Sequence, residues 1–207
     1  MKQQVVFATG NAGKMKEIRM ILSDVDAQVL SMKEAGLASD AEENGSTFAE
    51  NALIKARACA KNTDAVVLAD DSGLVIDALG GEPGIYSARY LGEDTSYHIK
   101  NHALIDRLDG VPEEKRTARF VCVIAAVLPD GREYTAEGVM EGRIGYEEAG
   151  GNGFGYDPIF YLPQYGCTSA ELSPEQKNAE SHRGRALEKM KAILLEAGVL
   201  QKQVREC

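Results

Sequence analysis

From Ala118 to Leu128 the sequence is almost continuous in apolar and β-branched residues, a long run for one strand. Pro129-Asp130-Gly131 turns the chain, and Glu133 to Ile144 returns as its partner, so the spacing predicts a long β-hairpin. Any fold for this chain must accommodate that hairpin. The N-terminal half follows a different rhythm. Gln4-Val5-Val6-Phe7-Ala8 reads as a buried strand, ended by the punctuation of Gly10 and Gly13. Met15, Ile18, Ile21 and Leu22 then recur at helical spacing, and Val29-Leu30 begins a weaker strand. The segment from Asp40 to Gly45 is acidic and loop-like. Thr47 stands three residues before Glu50, the spacing of a capping box, and Phe48, Ala52, Ala56 and Cys59 share one helical face behind it. Val66-Val67-Leu68-Ala69 predicts a third strand running into Asp70-Asp71-Ser72-Gly73, and a polar helix is expected from Ser96 to Leu108. Ala186, Met190, Ile193, Leu194 and Ala197 mark the last helix. Strands alternating with helices early and a hairpin late predict a mixed-sheet α/β fold.

At 207 residues, with 44% hydrophobic and 27% charged side chains, the chain has the size and make-up of one large globular domain or two packed lobes. Disorder, collagen-like repeats and a pure coiled coil are excluded. Its net charge of −9 opposes binding to nucleic acid or to an anionic membrane surface, both of which need a basic face. The expected partner is a small molecule, because local cations and a metal ion override a distant net charge. Cys59, Cys122, Cys167 and Cys207 show no paired spacing, which fits reduced cysteines. No stretch approaches a signal peptide or a membrane span, so a cytoplasmic protein is expected.

Three constellations carry chemistry. Thr9-Gly10-Asn11-Ala12-Gly13-Lys14 joins the first strand to the first helix. Small residues there let backbone amides approach a phosphate, the helix N-terminus favours negative charge, and Lys14 adds a cation. It is not a Walker A loop, and an ordinary strand-to-helix turn accounts for it equally well. Glu42 and Glu43 stand before one helix, and Asp70 and Asp71 at the expected end of a strand; carboxylates so placed suit Mg²⁺ beside a phosphorylated ligand. In the C-terminal half Phe154-Gly155-Tyr156-Asp157 offers an aromatic platform, and Lys177, His182 and Arg183 supply hydrogen-bond donors. His98 and His102 have the spacing of a zinc pair, but Ile99 stands where a metalloprotease has Glu, and an exposed helix face accounts for them better.

Taken in order, Thr-Gly-Asn-x-Gly-Lys, Thr-Phe-x-Glu-Asn-Ala-x-x-Lys-Ala, Asp-Asp-Ser-Gly-Leu, Gly-x-Pro-Gly-Ile-Tyr-Ser-Ala-Arg-Tyr, Gly-Phe-Gly-Tyr-Asp-Pro and Ser-His-Arg-Gly resemble the inosine/xanthosine triphosphate pyrophosphatases. The resemblance runs from about Val5 to Leu195. It implies a long mixed twisted sheet flanked by helices and a single domain of two lobes over residues 1–207. The substrate would lie in a central cleft, and the protein would be a homodimer. Residues 199–207, which lack a counterpart, are expected to fray. It further implies Mg²⁺-dependent hydrolysis of ITP, dITP and XTP to the monophosphate and pyrophosphate. Thr9, Gly10, Asn11, Ala12, Gly13, Lys14 and Lys55 would hold the triphosphate. Glu42 and Asp71 would bind magnesium, with Glu43 adjacent in register, and Asp71 would serve as general base, with Asp70 supporting it and Ser72 touching the substrate. Phe154, Gly155, Tyr156 and Asp157 would face base and sugar, and Lys177, His182 and Arg183 would read the purine edge. With an ordinary carboxylate pKa of about 3.9, Asp71 is a poor base, so the metal is expected to do most of the activation. Donors at the purine edge would pair with a C6 oxygen and clash with the amino group of adenine. A triphosphatase releasing orthophosphate and a non-catalytic Mg²⁺-nucleotide sensor are the rival readings.

Overall fold

A computed structural model of the protein describes residues 2–38 and 41–203. Its elements run β1 (Gln3–Phe7), α1 (Ala12–Ile21), β2 (Ala27–Ser31), α2 (Phe48–Ala60), β3 (Val66–Ile76) and α3 (Tyr97–Arg107). They continue with β4 (Thr117–Val127), β5 (Glu133–Ile144), β6 (Phe160–Leu162), β7 (Cys167–Thr168), α4 (Pro174–Glu180) and α5 (His182–Glu196). The strands form one seven-stranded sheet in the order β2-β1-β3-β4-β5-β6-β7. β1 runs parallel to both neighbours, with Val5 opposite Val29 on one side and Val66 on the other. β5, β6 and β7 pair antiparallel, so the sheet is mixed. The expected α/β class and hairpin are both present.

The chain divides into two compact units. The first takes the chain up to Asp71, then Cys122–Gly138, and then everything from Arg183 on. Alternation along its strands feeds two cores. Val5, Phe7, Leu68 and Ile124 pack with Ile18 of α1 and with Leu187, Met190 and Leu194 of α5. Val6, Val67, Ala69, Val123 and Ala125 pack instead with Ala52, Ala56 and Cys59 of α2. Each fully buried large aliphatic or aromatic side chain contributes about 1.5–3 kcal/mol, so the helices are held chiefly by these faces. The second unit takes Ser72–Val121 and Val139–His182. Its core gathers Leu74, Ile76, Leu104, Leu108, Phe120, Met140, Ile159 and Phe160. Arg116 is buried there, its guanidinium donating to the carbonyls of Leu108, Ile144 and Gly145 at 2.8, 2.9 and 2.7 Å. A buried cation is tolerated where its donors are met in this way.

Four local outcomes differ from expectation. Strand β3 does not stop at Ala69 but continues through Asp70 and Asp71 to Ile76. Thr47 caps α2, accepting from the Glu50 amide at 3.1 Å, while Glu50 reaches past it to the Ser46 amide at 2.7 Å. Helix α4 was not anticipated, although Ser173 and Gln176 form a full capping box with Pro174 in the first turn. Finally, the segment expected to fray from residue 199 is pinned as far as 203. Leu200 is buried, Lys202 bridges to Val25, and the amide of Gln203 donates to the Asp24 carbonyl at 2.9 Å. Residues 204–207, including Cys207, lie outside the described residues, as does the start of the Asp40–Gly45 loop. Among the described residues, Cys59, Cys122 and Cys167 form no disulfide. No helix among the described residues is long and apolar enough to cross a membrane.

Candidate active site

In the first unit the turn after β1 is built by its own side chains. The Thr9 hydroxyl accepts from the Asn11 amide at 3.1 Å, and Asn11 caps α1 by accepting from the Lys14 amide at 3.1 Å. Gly10, Asn11, Ala12 and Gly13 are exposed, so the first-turn amides face outward at the positive end of the helix. A cavity of about 240 Å³ opens beside them, lined by Thr9, Gly10, Lys14, Glu43, Lys55 and Asp70 among others.

Because Asp70 and Asp71 lie within a strand, their side chains leave it on opposite faces and meet different partners. Asp70 is 2% exposed. Lys14 Nζ donates to it at 2.9 Å, and the Arg183 guanidinium lies 3.4 Å from its second oxygen. Arg183 is also held by Glu17 at 2.5 Å. Burial opposes ionisation of Asp70, but Lys14, Arg183 and Lys55 outweigh it and keep this carboxyl well below the usual carboxylate range. Asp71 has a poorer environment. Lys55 donates to its Oδ1 at 2.9 Å, yet the same ammonium serves Glu43 at 3.2 Å. The other oxygen, Oδ2, is buried and has no hydrogen-bond partner. Burial, together with the like charges of Glu43 and Asp70, outweighs Lys55 and pushes the Asp71 carboxyl up to about 6. A carboxylate with one bonded oxygen and one buried oxygen without a partner holds a proton more readily than a fully bonded one.

The sequence assignments sort unevenly onto this geometry. Thr9, Lys14, Lys55 and Asp71 come together in the first unit, and Arg183 joins them through Asp70. Glu42 is exposed, and it is the neighbouring Glu43 that turns its carboxylate to Lys55. Glu17 was not singled out; its partner lies 166 residues away, which no local pattern reveals.

In the second unit Ser72 is half-buried on β3. Of the four residues expected to face a base, Tyr156 and Asp157 are buried, and only Phe154 presents an exposed ring, 37% accessible. Tyr156 is a core residue whose hydroxyl donates to the Ser87 carbonyl at 2.7 Å. Asp157 organises the loop. Its Oδ2 accepts from the Phe154 amide at 2.8 Å and from Lys177 at 2.6 Å, and its Oδ1 from the Ser169 hydroxyl at 2.9 Å. The Lys177 ammonium in turn lies 4.9 Å from the Phe154 ring centre. Gly153, at φ +76°, leaves the room this requires; a Cβ there would come within 2.3 Å of the Asp157 carboxylate. His182 opens α5 and stacks on Phe120 with ring centres 4.8 Å apart.

A mixed α/β sheet with an amide-rich turn, two lysines and an arginine set among carboxylates defines a protein arranged to take a phosphorylated ligand. The particular family is equally plain: the chain belongs to the Ham1 family, whose model matches residues 5–193. A dITP/XTP pyrophosphatase of Desulforamulus reducens is 51% identical over 191 residues, covering 92% of this chain and 95% of its own length. One of Nitratidesulfovibrio vulgaris is 51% identical over 195 residues, covering 91% and 94%. Among solved structures, the Staphylococcus aureus Ham1 protein matches with a TM-score of 0.85 at 43% identity, over 94% of this chain and 100% of that one.

Proposed function

We propose that this chain hydrolyses the non-standard purine nucleoside triphosphates dITP, XTP and ITP to the monophosphate and pyrophosphate. The single observation that carries the reading is the open, buried oxygen of Asp71 within the same ionic cluster as the lysine-lined cavity. Lys14, Lys55 and the amides of Gly10 to Gly13 bind the polyphosphate, the lysines exchanging part of their carboxylate contact for phosphate oxygens. Asp70, held ionised by Lys14 and Arg183, fixes the Lys14 ammonium in place. Asp71 keeps Oδ1 on Lys55 and turns Oδ2 to the attacking water. With its pKa raised to about 6, it is a stronger base than an ordinary carboxylate.

The donor set also fits a magnesium ion. Three cations, Lys14, Lys55 and Arg183, face four carboxylates, Glu17, Glu43, Asp70 and Asp71, so a polyphosphate entering alone would meet net repulsion. Glu43 offers the hard oxygens that Mg²⁺ prefers and takes the role first given to Glu42, while Asp71 would meet the ion through the water held at Oδ2. When bound, the ion neutralises phosphate charge and lowers the pKa of its water.

For the base, the Phe154 ring is the stacking surface, and Lys177 and His182 are the donors that favour an oxygen at C6. Ser72 contacts the substrate. The protein works in the cytoplasm, as a homodimer. The test is pyrophosphate release from dITP, XTP, ITP, ATP and GTP, with and without Mg²⁺. Release confined to the non-standard purines and dependent on the ion is expected; orthophosphate as product, or equal rates on all five, would overturn the reading.

A further inference from the structure

We propose that His98, His102 and Glu148 form a second metal site, for a borderline divalent ion of the Zn²⁺ type. The two histidines lie one turn apart on the exposed face of α3, with ring centres 4.4 Å apart. Sequence alone offers only this pair. The third group comes from 50 residues away, where Glu148 Oε2 lies 2.6 Å from His98 Nδ1 and 3.7 Å from His102 Nε2. The three ligand atoms all fall within 4.8 Å of one another. Tetrahedral zinc, with bonds near 2.0–2.2 Å, sets neighbouring ligand atoms about 3.3 Å apart. The first separation therefore opens and the second closes by less than an ångström. Side-chain torsion of two exposed imidazoles supplies that adjustment without moving α3.

The carboxylate is already oriented from behind. Asn101, also on α3, donates to Glu148 Oε1 at 2.6 Å and to the Gly155 carbonyl at 3.3 Å, leaving Oε2 to the histidines. A hydrogen bond to the far oxygen of a ligand is the usual support of a metal site. Two imidazoles and a carboxylate are borderline ligands that suit zinc, cobalt or nickel better than magnesium. Bound there, the ion would tie α3 to the segment entering the Gly150–Gly155 loop.

The test titrates the metal-stripped full-length protein with Co²⁺ in saturating Mg²⁺, followed by displacement with Zn²⁺. Expected is one Co²⁺ per chain with the visible absorption of a low-symmetry site, lost on adding Zn²⁺. His102→Ala and Glu148→Gln should each weaken uptake at least about tenfold. His98→Ala, at the most exposed of the three side chains, guards against a folding defect in either. No uptake by the wild type at about 0.1 mM Co²⁺, or undiminished uptake in all three variants, would overturn the proposal.

Discussion

Asp71 in the first unit and Asp157 in the second are both buried aspartates facing a lysine, and they differ in one respect. Asp157 has every oxygen engaged, by Ser169, Lys177 and the Phe154 amide. Asp71 shares its lysine with Glu43 and keeps one oxygen open. A satisfied buried network holds shape, whereas an incomplete one keeps free energy available for a ligand or a proton. One ion pair fixes the donor Lys177 in place, and the other leaves Asp71 able to take part in the reaction.

The sharpest break in that contrast is Asp71→Asn, which removes charge at nearly constant volume. Turnover should fall about 10³-fold, the scale of a lost general base; a loss below about tenfold by pyrophosphate assay would remove Asp71 from the chemistry. Asp157→Ala should act chiefly on folding, destabilising by about 3–5 kcal/mol because the buried Lys177 loses the Asp157 carboxylate, and should raise KM through the same lysine. Urea denaturation measures this, and a cost under about 1 kcal/mol would make the two sites equivalent.

A third outcome inverts the expected sign. The Asp71 carboxyl is raised to about 6 in the fold against about 3.9 unfolded, so the folded state holds its proton more tightly. Its ionised form therefore costs stability above pH 6, and that cost disappears below pH 4. Metal-free Asp71→Asn should be more stable than wild type at pH 8, by about 1–3 kcal/mol, and no more stable at pH 4. Equal melting temperatures at pH 8 would show that the open oxygen carries no strain. Smaller still, Phe154→Ala should raise KM for dITP about 5- to 30-fold, a stacking loss of about 1–2 kcal/mol, with Tm unchanged. Smallest is Glu42→Gln, expected to change activity less than about twofold where Glu43→Gln raises the Mg²⁺ requirement by about tenfold or more; the reverse order would restore Glu42 as the ligand.

Much of the fold was legible because it is periodic. The hairpin return appears as β5, Glu133–Ile144, and the polar helix appears between Ser96 and Leu108 with Ser96 as its cap. The end of β3 was misplaced because Asp-Asp-Ser-Gly reads locally as a stop. Lys14, Lys55 and Arg183, all distant in sequence, neutralise the acids and let the strand run on. The same limit explains the site. The amide-rich turn and the acids were visible as short motifs, but the pairing of Arg183 with Asp70 depends on a contact across 113 residues. Helix α4 is the exception, since Ser-Pro-Glu-Gln is a local signal that spacing alone could have supplied.

That 113-residue separation between Asp70 and Arg183 has a temporal side. A ribosome adding about 5–20 residues per second takes roughly 6–23 s to travel from one to the other. Throughout that interval the nascent strand carries its adjacent acids without their guanidinium counterweight. The ionic balance at Asp70 is complete only once α5 has emerged and docked, so this corner of the pocket assembles well after the strand that carries its acids.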